Sequence, residues 1–127
     1  MHTAYEFVCQ LQKLGCSIAL DDFGSGLSSF EYFKKLPVNI LKIDGIFIHN
    51  LPHSKMDHVI VDAVGRVAET MNLKTVAEYV ESEEILLLLA DMGVTYAQGY
   101  HMGKPMPLEN LLLRIKNENI DSVKKDL

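Results

Sequence analysis

Only two cysteines occur among the 127 residues, Cys9 and Cys16, and they form neither a CxxC motif nor a cluster with histidine. This predicts reduced, packed thiols in a cytoplasmic protein. The chain also has no apolar run of membrane-spanning length, and its amino terminus lacks the basic start and apolar block of a secretory signal. We therefore expect no membrane contact by this chain, although a parent protein can be membrane-anchored.

Clustered positive charge is absent as well. The net charge is −5, and the 12 lysines and arginines are scattered along the chain. A nucleic-acid polymer is therefore not an expected partner. A small anionic ligand held through metal ions stays compatible with this charge, because carboxylates that bind cations add to the negative count.

Several common catalytic and metal-binding motifs are missing. No His-Arg-Asp loop precedes the Asp-Phe-Gly at residues 22–24, which argues against a protein kinase, and no Gly-Lys-Ser/Thr follows Gly24 to form a phosphate loop. Three histidines lie close in sequence, but Pro52 breaks any helical face that they could share. We therefore expect surface positions for these histidines, His49, His53 and His58.

The apolar pattern that is present predicts a helix over residues 3–14 and then four strand–helix units. The predicted strands are 17–21, 40–43, 75–77 and 95–97, and the predicted helices are 28–35, 54–71, 82–92 and 108–115, with a polar tail over 117–127. In the long helix the predicted buried stripe is Val59, Ile60, Ala63, Val64 and Val67. Repeated βα units indicate an α/β domain over residues 1–127 with a parallel sheet covered by helices, and four such units are half of a (β/α)8 barrel.

Polar side chains stand where each of the four predicted strands ends: Asp21 with Asp22, Lys42, Glu78 and Gln98. In a parallel βα array these positions share one rim, and strand alternation puts Asp21, Lys42, Glu78 and Gln98 on the face opposite the apolar residues that meet the helices. Asp22 would point the other way in a regular strand, so it can reach the same site only if the strand already bends into the loop. Carboxylates are ligands for Mg²⁺ or Mn²⁺, and a lysine beside them can hold a water or offset charge developing on a phosphate. A set of solvated strand ends is the alternative for these residues.

Five motifs in the same order and at similar spacing resemble the carboxyl-terminal half of EAL domains, bacterial phosphodiesterases that linearise cyclic di-GMP on a (β/α)8 barrel. The motifs are Asp21-Asp22-Phe23-Gly24-Ser25-Gly26 with Ser28-Ser29, Leu36-Pro37, Leu41-Lys42-Ile43-Asp44, Ala77-Glu78-Tyr79-Val80-Glu81, and Gln98-Gly99-Tyr100 with Gly103-Lys104-Pro105. The resemblance covers about residues 3–113.

The resemblance implies a two-metal site for Mg²⁺ or Mn²⁺ and a role for each matching residue. Asp21 resembles the carboxylate that both metals share, Asp22 a ligand of the second metal, and Glu78 a further metal-site carboxylate. Lys42 resembles the lysine that holds the attacking water, and Gln98 a polar contact beside it. Implied loop and substrate positions are Phe23, Gly24, Ser25, Gly26, Ser28, Ser29, Glu81, Gly99, Tyr100 and Pro105.

Two departures from the family pattern matter. Tyr79 stands where a glycine is usual, and the 127 residues contain neither the Glu-Ala-Leu motif nor the asparagine and glutamate that earlier strands give to the first metal. We therefore expect the chain alone to be inactive, as a fragment or truncated form of a phosphodiesterase. Its expected partners are a second copy, as a homodimer, or the missing amino-terminal half. The alternatives are a catalytically dead interaction module and an unrelated βα domain without a metal.

Overall fold

A computed structural model of the chain describes residues 2–23 and 34–125. The helices are α1 (His2–Lys13), α2 (Lys55–Thr70), α3 (Glu83–Asp91) and α4 (Leu108–Lys125), with short 3-10 helices at Gly45–Phe47 and Leu51–His53. The strands are β1 (Ala19–Phe23), β2 (Ile40–Ile43), β3 (Lys74–Ala77) and β4 (Tyr96–Ala97). The predicted helix over 28–35 lies outside the described residues except for its last two positions, which are helical. No helix of the described ranges is long and apolar enough to cross a membrane.

The four strands form one parallel sheet in the order β1-β2-β3-β4. This confirms the predicted α/β fold, because strands that are consecutive in sequence are also neighbours in the sheet. All four carboxyl ends consequently lie at one edge, which we call the rim. Each strand was predicted to within two residues at either end.

The two faces of the sheet differ in burial as the alternation predicts. Leu41, Ile43 and Ala77 face the helices and are fully buried. On the opposite face, which we call the inner face, Ile40 and Val76 are half-buried, whereas Ala19 and Tyr96 are exposed. The sheet therefore has a covered side and an open side.

Strand β1 carries a one-residue bulge at Asp21–Asp22. Leu20 pairs with Leu41 and Phe23 with Ile43, so three steps along β1 match two steps along β2. A bulge of this kind reverses the alternation of side chains beyond it. Phe23, which was predicted to lie in the rim loop, is instead the last residue of β1 and is fully buried in the core.

Serine side chains begin the two helices that flank β3. The Ser54 Oγ accepts a hydrogen bond of 3.1 Å from the Asp57 N–H, and the Ser82 Oγ accepts one of 3.2 Å from the Ile85 N–H. These bonds satisfy N–H groups that have no partner within the helix. Both helix starts agree with the sequence prediction.

The buried stripe of α2 differs from the predicted one. The buried residues are Val61, Val64 and Ala68, whereas Val59 is 63% exposed and Ala63 is also exposed. Apolar residues occupy more than one side of this helix, so periodicity alone does not fix which side meets the sheet.

Helix α4 is longer than predicted, since it continues through Lys125 rather than ending near residue 115. The Arg114 Nε lies 3.0 Å from the Glu118 Oε1, one helical turn further on. Such an i,i+4 pair supports a helix in a polar segment. The polar tail of the prediction is thus mostly helical.

Substituting Gly99 is expected to lower the free energy of unfolding by about 1 to 3 kcal/mol, the usual cost of overpacking. A Cβ at Gly99 would overlap the backbone N and O of Val80, which cannot move without breaking the contacts of the loop. Gly65→Ala, inside α2, is the matched control, because a Cβ at Gly65 would lie 3.8 Å from the Met92 carbonyl oxygen, which is ordinary contact distance. Alanine there should be neutral or stabilising.

Urea titrations of Gly99→Ala, Gly65→Ala and the parent chain measure these differences. Equal midpoints for all three would contradict the close packing of Gly99 on Val80.

Candidate active site

Three charged side chains at or near the carboxyl ends of β1, β2 and β3 meet at the rim. The Lys42 Nζ lies 3.0 Å from the Glu78 Oε1 and 3.9 Å from the Asp21 Oδ1. The structure thereby brings together residues that are 57 positions apart in the sequence. The parallel order of the strands is what permits this, because it puts each strand end beside the next.

Burial differs among the three side chains. Lys42 is 24% exposed and Glu78 is 16% exposed, whereas Asp21 is 60% exposed. The short ion pair is therefore the shielded part of the site, and Asp21 is its open side. Since a shielded charge is costly without a partner, Lys42 and Glu78 depend on each other more than either depends on Asp21.

Burial raises the pKa of the Glu78 carboxyl above its ordinary value. The hydrogen bond from the Lys42 ammonium lowers this pKa, and the neighbouring Asp21 carboxyl raises it again. The net direction is upward because burial and a second negative charge together outweigh the lysine. A carboxylate in this state gains from any further cation placed beside it.

Gln98 shares a cavity at the rim with Glu78. Its backbone continues the sheet, because the Gln98 N–H donates to the Ala77 carbonyl at 2.8 Å. The side chain lines a cavity of about 340 Å³ at the rim. The other lining residues are Glu78, Tyr79, Glu81, Gly99 and Tyr100.

Several predicted site residues lie elsewhere or outside the described ranges. The predicted loop residues Gly24, Ser25, Gly26, Ser28 and Ser29 lie outside the described residues, and for Asp22 only the backbone is described. Pro105 lines an adjoining cavity of about 520 Å³ together with Gln98 and Tyr100.

Sequence reasoning gave no role to Lys104 and Arg114, which also line this second cavity. The Lys104 Nζ lies 5.5 Å from the centre of the Tyr100 ring, which is within the range of a cation–π contact. Lys104 stands directly before Pro105 in a motif already singled out, so a signal was available for it. No sequence signal indicated Arg114, because it lies in α4, outside the motifs that were singled out.

The histidines and one cysteine can also be placed. His49, His53 and His58 are exposed, as predicted, and no group of three potential metal ligands occurs among residues 2–23 and 34–125. Cys9 is half-buried, but Cys16 is exposed, so the prediction of a packed thiol is wrong for Cys16.

Asp21 and Glu78 fit one side of a site for a hard divalent cation such as Mg²⁺ or Mn²⁺. Their carboxylate oxygens are of the type that these ions prefer, and both face the same lysine ammonium. The raised pKa of Glu78 indicates a carboxyl that an added cation would favour in its charged form. Two carboxylates are fewer than such an ion needs, so the site requires oxygen ligands from elsewhere.

Weak metal binding is therefore expected, with a Kd for Mn²⁺ on the order of 10⁻³ M. Replacing both adjacent aspartates (Asp21→Asn with Asp22→Asn) should abolish it, because most of the negative charge at the open side is lost. Titration calorimetry is the measurement, with Asp62→Asn plus Asp91→Asn as the charge-matched control away from the rim. Identical heats for the two double variants would contradict a rim site.

The amino-acid sequence of the chain is similar to those of known cyclic di-GMP phosphodiesterases. The chain is 49% identical over 107 residues to the cyclic di-GMP phosphodiesterase PdeB of Shewanella oneidensis, and this region is 84% of the chain and 12% of that protein. It is 44% identical over 106 residues to the cyclic di-GMP phosphodiesterase PdeF of Escherichia coli, covering 84% of the chain and 14% of the relative. The chain thus spans a small part of these relatives.

Solved structures agree with this comparison. The PaMucR phosphodiesterase in complex with c-di-GMP matches with a TM-score of 0.79 and 43% identity, over 87% of this chain and 44% of that one. The EAL domain of Mycobacterium smegmatis DcpA matches with a TM-score of 0.86 and 35% identity, over 91% of this chain and 52% of that one. The chain therefore spans about half the length of these structures.

The family model that matches is the EAL domain, over residues 1–105, which includes the rim cluster and the cavity beside it. The sequence motifs, the parallel βα array and the position of the charged residues at its carboxyl ends all agree with that match. The chain belongs to the EAL domain family.

Proposed function

We propose that the chain is the carboxyl-terminal half of a metal-dependent EAL domain that hydrolyses cyclic di-GMP to linear pGpG. The observation that carries the proposal is the cluster of Asp21, Lys42 and Glu78 at the rim, where βα folds bind their substrates. Further support comes from the curated relatives, PdeB and PdeF, which are cyclic di-GMP phosphodiesterases by name.

Lys42 is the proposed positioning group for the attacking water. Its ammonium is held 3.0 Å from the Glu78 carboxylate, and its other N–H bonds can point toward the open side of the site, where Asp21 lies. A fixed positive charge there also stabilises negative charge as it develops on the phosphate. Gln98 contributes an amide that can hydrogen-bond a substrate group in the adjoining cavity.

Asp21, Asp22 and Glu78 are the proposed ligands for Mg²⁺ or Mn²⁺. When bound, such an ion neutralises phosphate charge and lowers the pKa of a coordinated water. The bulge at Asp21–Asp22 is relevant here, because adjacent residues of a regular strand point to opposite faces. A bulge interrupts that alternation, so Asp21 and Asp22 can both bind metal at the same rim.

The other half of the domain is the proposed partner in catalysis. The relatives' structures are about twice as long as this chain, and the 127 residues contain no Glu-Ala-Leu motif. We infer that the missing half supplies the remaining ligands and covers the inner face of the sheet.

The test is to supply that half, either joined to Met1 or as a separate polypeptide, using the portion of the PaMucR domain that this chain does not match. Formation of pGpG is followed by chromatography with Mg²⁺ or Mn²⁺ present. Lys42→Ala should lower the rate about 100- to 1,000-fold, as the loss of a fixed electrostatic group does. Lys74→Ala, at the opposite end of the sheet, should not change it. Equal rates for both variants would reject the proposed role of the rim cluster.

A catalytically dead interaction module is the second candidate, and the open inner face favours it. This module would bind a second copy or a parent protein without hydrolysing the dinucleotide. The two candidates differ in the reconstitution experiment, since the module would form a complex with the supplied half but would yield no pGpG.

A further inference from the structure

We infer that Tyr79 is a specificity-determining residue whose ring stacks on a guanine base of the substrate. This inference rests on the proposed function and adds a base-recognition site to it. Tyr79 directly follows the rim carboxylate Glu78 and lines the same cavity of about 340 Å³. Its ring lies against Gly45, where Tyr79 also lines a neighbouring cavity of about 330 Å³.

The backbone at Tyr79 is unusual for a residue with a side chain. Its φ angle is +61°, in the left-handed region that glycine occupies without steric conflict. This explains why a glycine suits the position. Tyr79 is 60% exposed, so burial in the core does not offset the cost of this backbone conformation. Such residues concentrate at functional sites.

The ring is nevertheless held in a defined place. It lies against Gly45, where an added Cβ would overlap the tyrosine ring. The next residue, Val80, is fully buried, its N–H donates to the Gln98 carbonyl at 3.0 Å, and its carbonyl accepts from the His101 N–H at 3.1 Å. An exposed aromatic ring on a fixed backbone is a suitable stacking surface for a base, because little freedom is lost on binding.

The cavity has the remaining features of a base site. Tyr100, which is 65% exposed, provides a second aromatic ring in its lining. Its polar lining residues include Glu81 and Gln98. Guanine presents two adjacent donors, N1–H and the N2 amino group, that a carboxylate or amide oxygen can accept, whereas adenine has an acceptor at N1. The volume of about 340 Å³ is in the range of small-molecule sites.

A purely structural role for Tyr79 predicts something different. If the ring only covers Gly45, its removal should change stability and leave base binding unaltered. Tyr79→Gly separates the two roles particularly well, because it removes the ring and the backbone strain together. That variant should be at least as resistant to thermal unfolding as the parent chain while losing the stacking contact.

The experiment uses the 127-residue chain with cyclic di-GMP as the probe and cyclic di-AMP as the base control, observed by proton NMR with Mg²⁺ present. Stacking should move the guanine H8 signal upfield in the parent chain and in Tyr79→Phe. In Tyr79→Leu and Tyr79→Gly the shift should vanish and the Kd should rise roughly 5- to 150-fold, the usual effect of removing one base-stacking ring. Tyr5→Leu, on α1, is the control for removing a surface tyrosine.

The outcomes separate this inference from the proposed function. Binding without an upfield H8 shift, or equal affinity in all Tyr79 variants, would overturn the stacking role. Equal affinity for the two dinucleotides would overturn guanine recognition in this cavity, because stacking alone does not distinguish guanine from adenine. Each of these outcomes leaves the phosphodiesterase proposal standing. No binding of cyclic di-GMP by the parent chain would also overturn it. The hydrolysis test with the supplied half then decides the proposed function separately.

Discussion

The isolated chain is expected to convert no cyclic di-GMP to pGpG above background, with either Mg²⁺ or Mn²⁺. The reason is the number of groups that catalysis would lack. At the rim, Asp21 and Glu78 provide carboxylates from one side, and the sequence contains none of the first-half ligands that the family resemblance implies. Losing one oriented electrostatic group typically lowers a rate about 100- to 1,000-fold, and here several are absent together.

Chromatographic detection of pGpG over several hours is the measurement, and the chain joined to its complementary half is the positive control. Asp21→Asn in the isolated chain provides the decisive comparison. Turnover by the isolated chain that this substitution abolishes would show that half of the rim is sufficient for catalysis, and the expectation would be wrong.

The parts of the fold that followed from sequence are those that local chemistry determines. Strand Ile40–Ile43 was predicted exactly, because an apolar run between Pro37 and Gly45 has the length of a buried strand and little room to shift. The starts of α2 and α3 were also predicted, since Ser54 and Ser82 can accept hydrogen bonds from the first turn of each helix.

The parts that did not follow from sequence depend on contacts between distant residues. The bulge in β1 is a change of register against β2 between Leu20 and Phe23, and no local sequence pattern predicts that change. Phe23 was therefore predicted to lie in the rim loop, whereas it is the last residue of β1 and is buried. Similarly, the apolar residues of α2 allow more than one buried stripe, and only packing against the sheet selects Val61 over Val59.

The candidate site divides in the same way. Residue types and strand ends were enough to predict that Asp21, Lys42 and Glu78 share a rim, because parallel strands fix where their ends lie. The asymmetry within the cluster, with a shielded Lys42–Glu78 pair and an open Asp21, needed the structure. The left-handed backbone at Tyr79 also has no sequence signal other than its replacement of a common glycine.

The isolated chain is also expected to self-associate rather than to exist as a compact monomer. Its accessible surface is 9052 Å² for a mass of 14.3 kDa, whereas a compact monomer of that mass exposes roughly 6,800 Å². The excess of about 2,200 Å² is the size of an obligate protein interface. Exposed large apolar residues in the two terminal helices, or directly after the first of them, contribute to it: Phe7, Leu14, Leu108, Leu111, Leu112, Leu113 and Ile115.

The sheet gives a specific place for that association. Among the described residues, β1 and β4 each pair with a strand on one side only, and the inner face carries Ala19, Ile40, Val76 and Tyr96 without full cover. Unpaired strand edges and an apolar face together favour pairing with another chain. Two copies around a two-fold axis would bury the same surface on each partner, which is the usual symmetry of a dimer.

The energies favour association by a wide margin. An interface of about 2,000 Å², with roughly 60% of it apolar, yields about 30 kcal/mol of gross hydrophobic stabilisation at about 25 cal/mol per Å². The loss of translational and rotational freedom costs about 4 to 15 kcal/mol. A positive charge at the centre of this interface should weaken association, because a buried ion costs several kcal/mol, so Val76→Lys is expected to shift the chain toward monomer. Val59→Lys is the matched control, because it puts the same charge on an exposed position of α2.

Static light scattering at low micromolar concentration distinguishes the states, and thermal unfolding at several concentrations tests them independently, because the midpoint of a dimer rises with protein concentration. If the parent chain scatters as a monomer and unfolds cooperatively at a midpoint independent of concentration, the chain needs no partner to fold. Adding the complementary half of the domain should dissociate the dimer and form a one-to-one complex of the chain with that half. The added half would cover the same inner face and pair with the same strand edges. A dimer that survives this addition would place the contact elsewhere, on the apolar residues of the terminal helices.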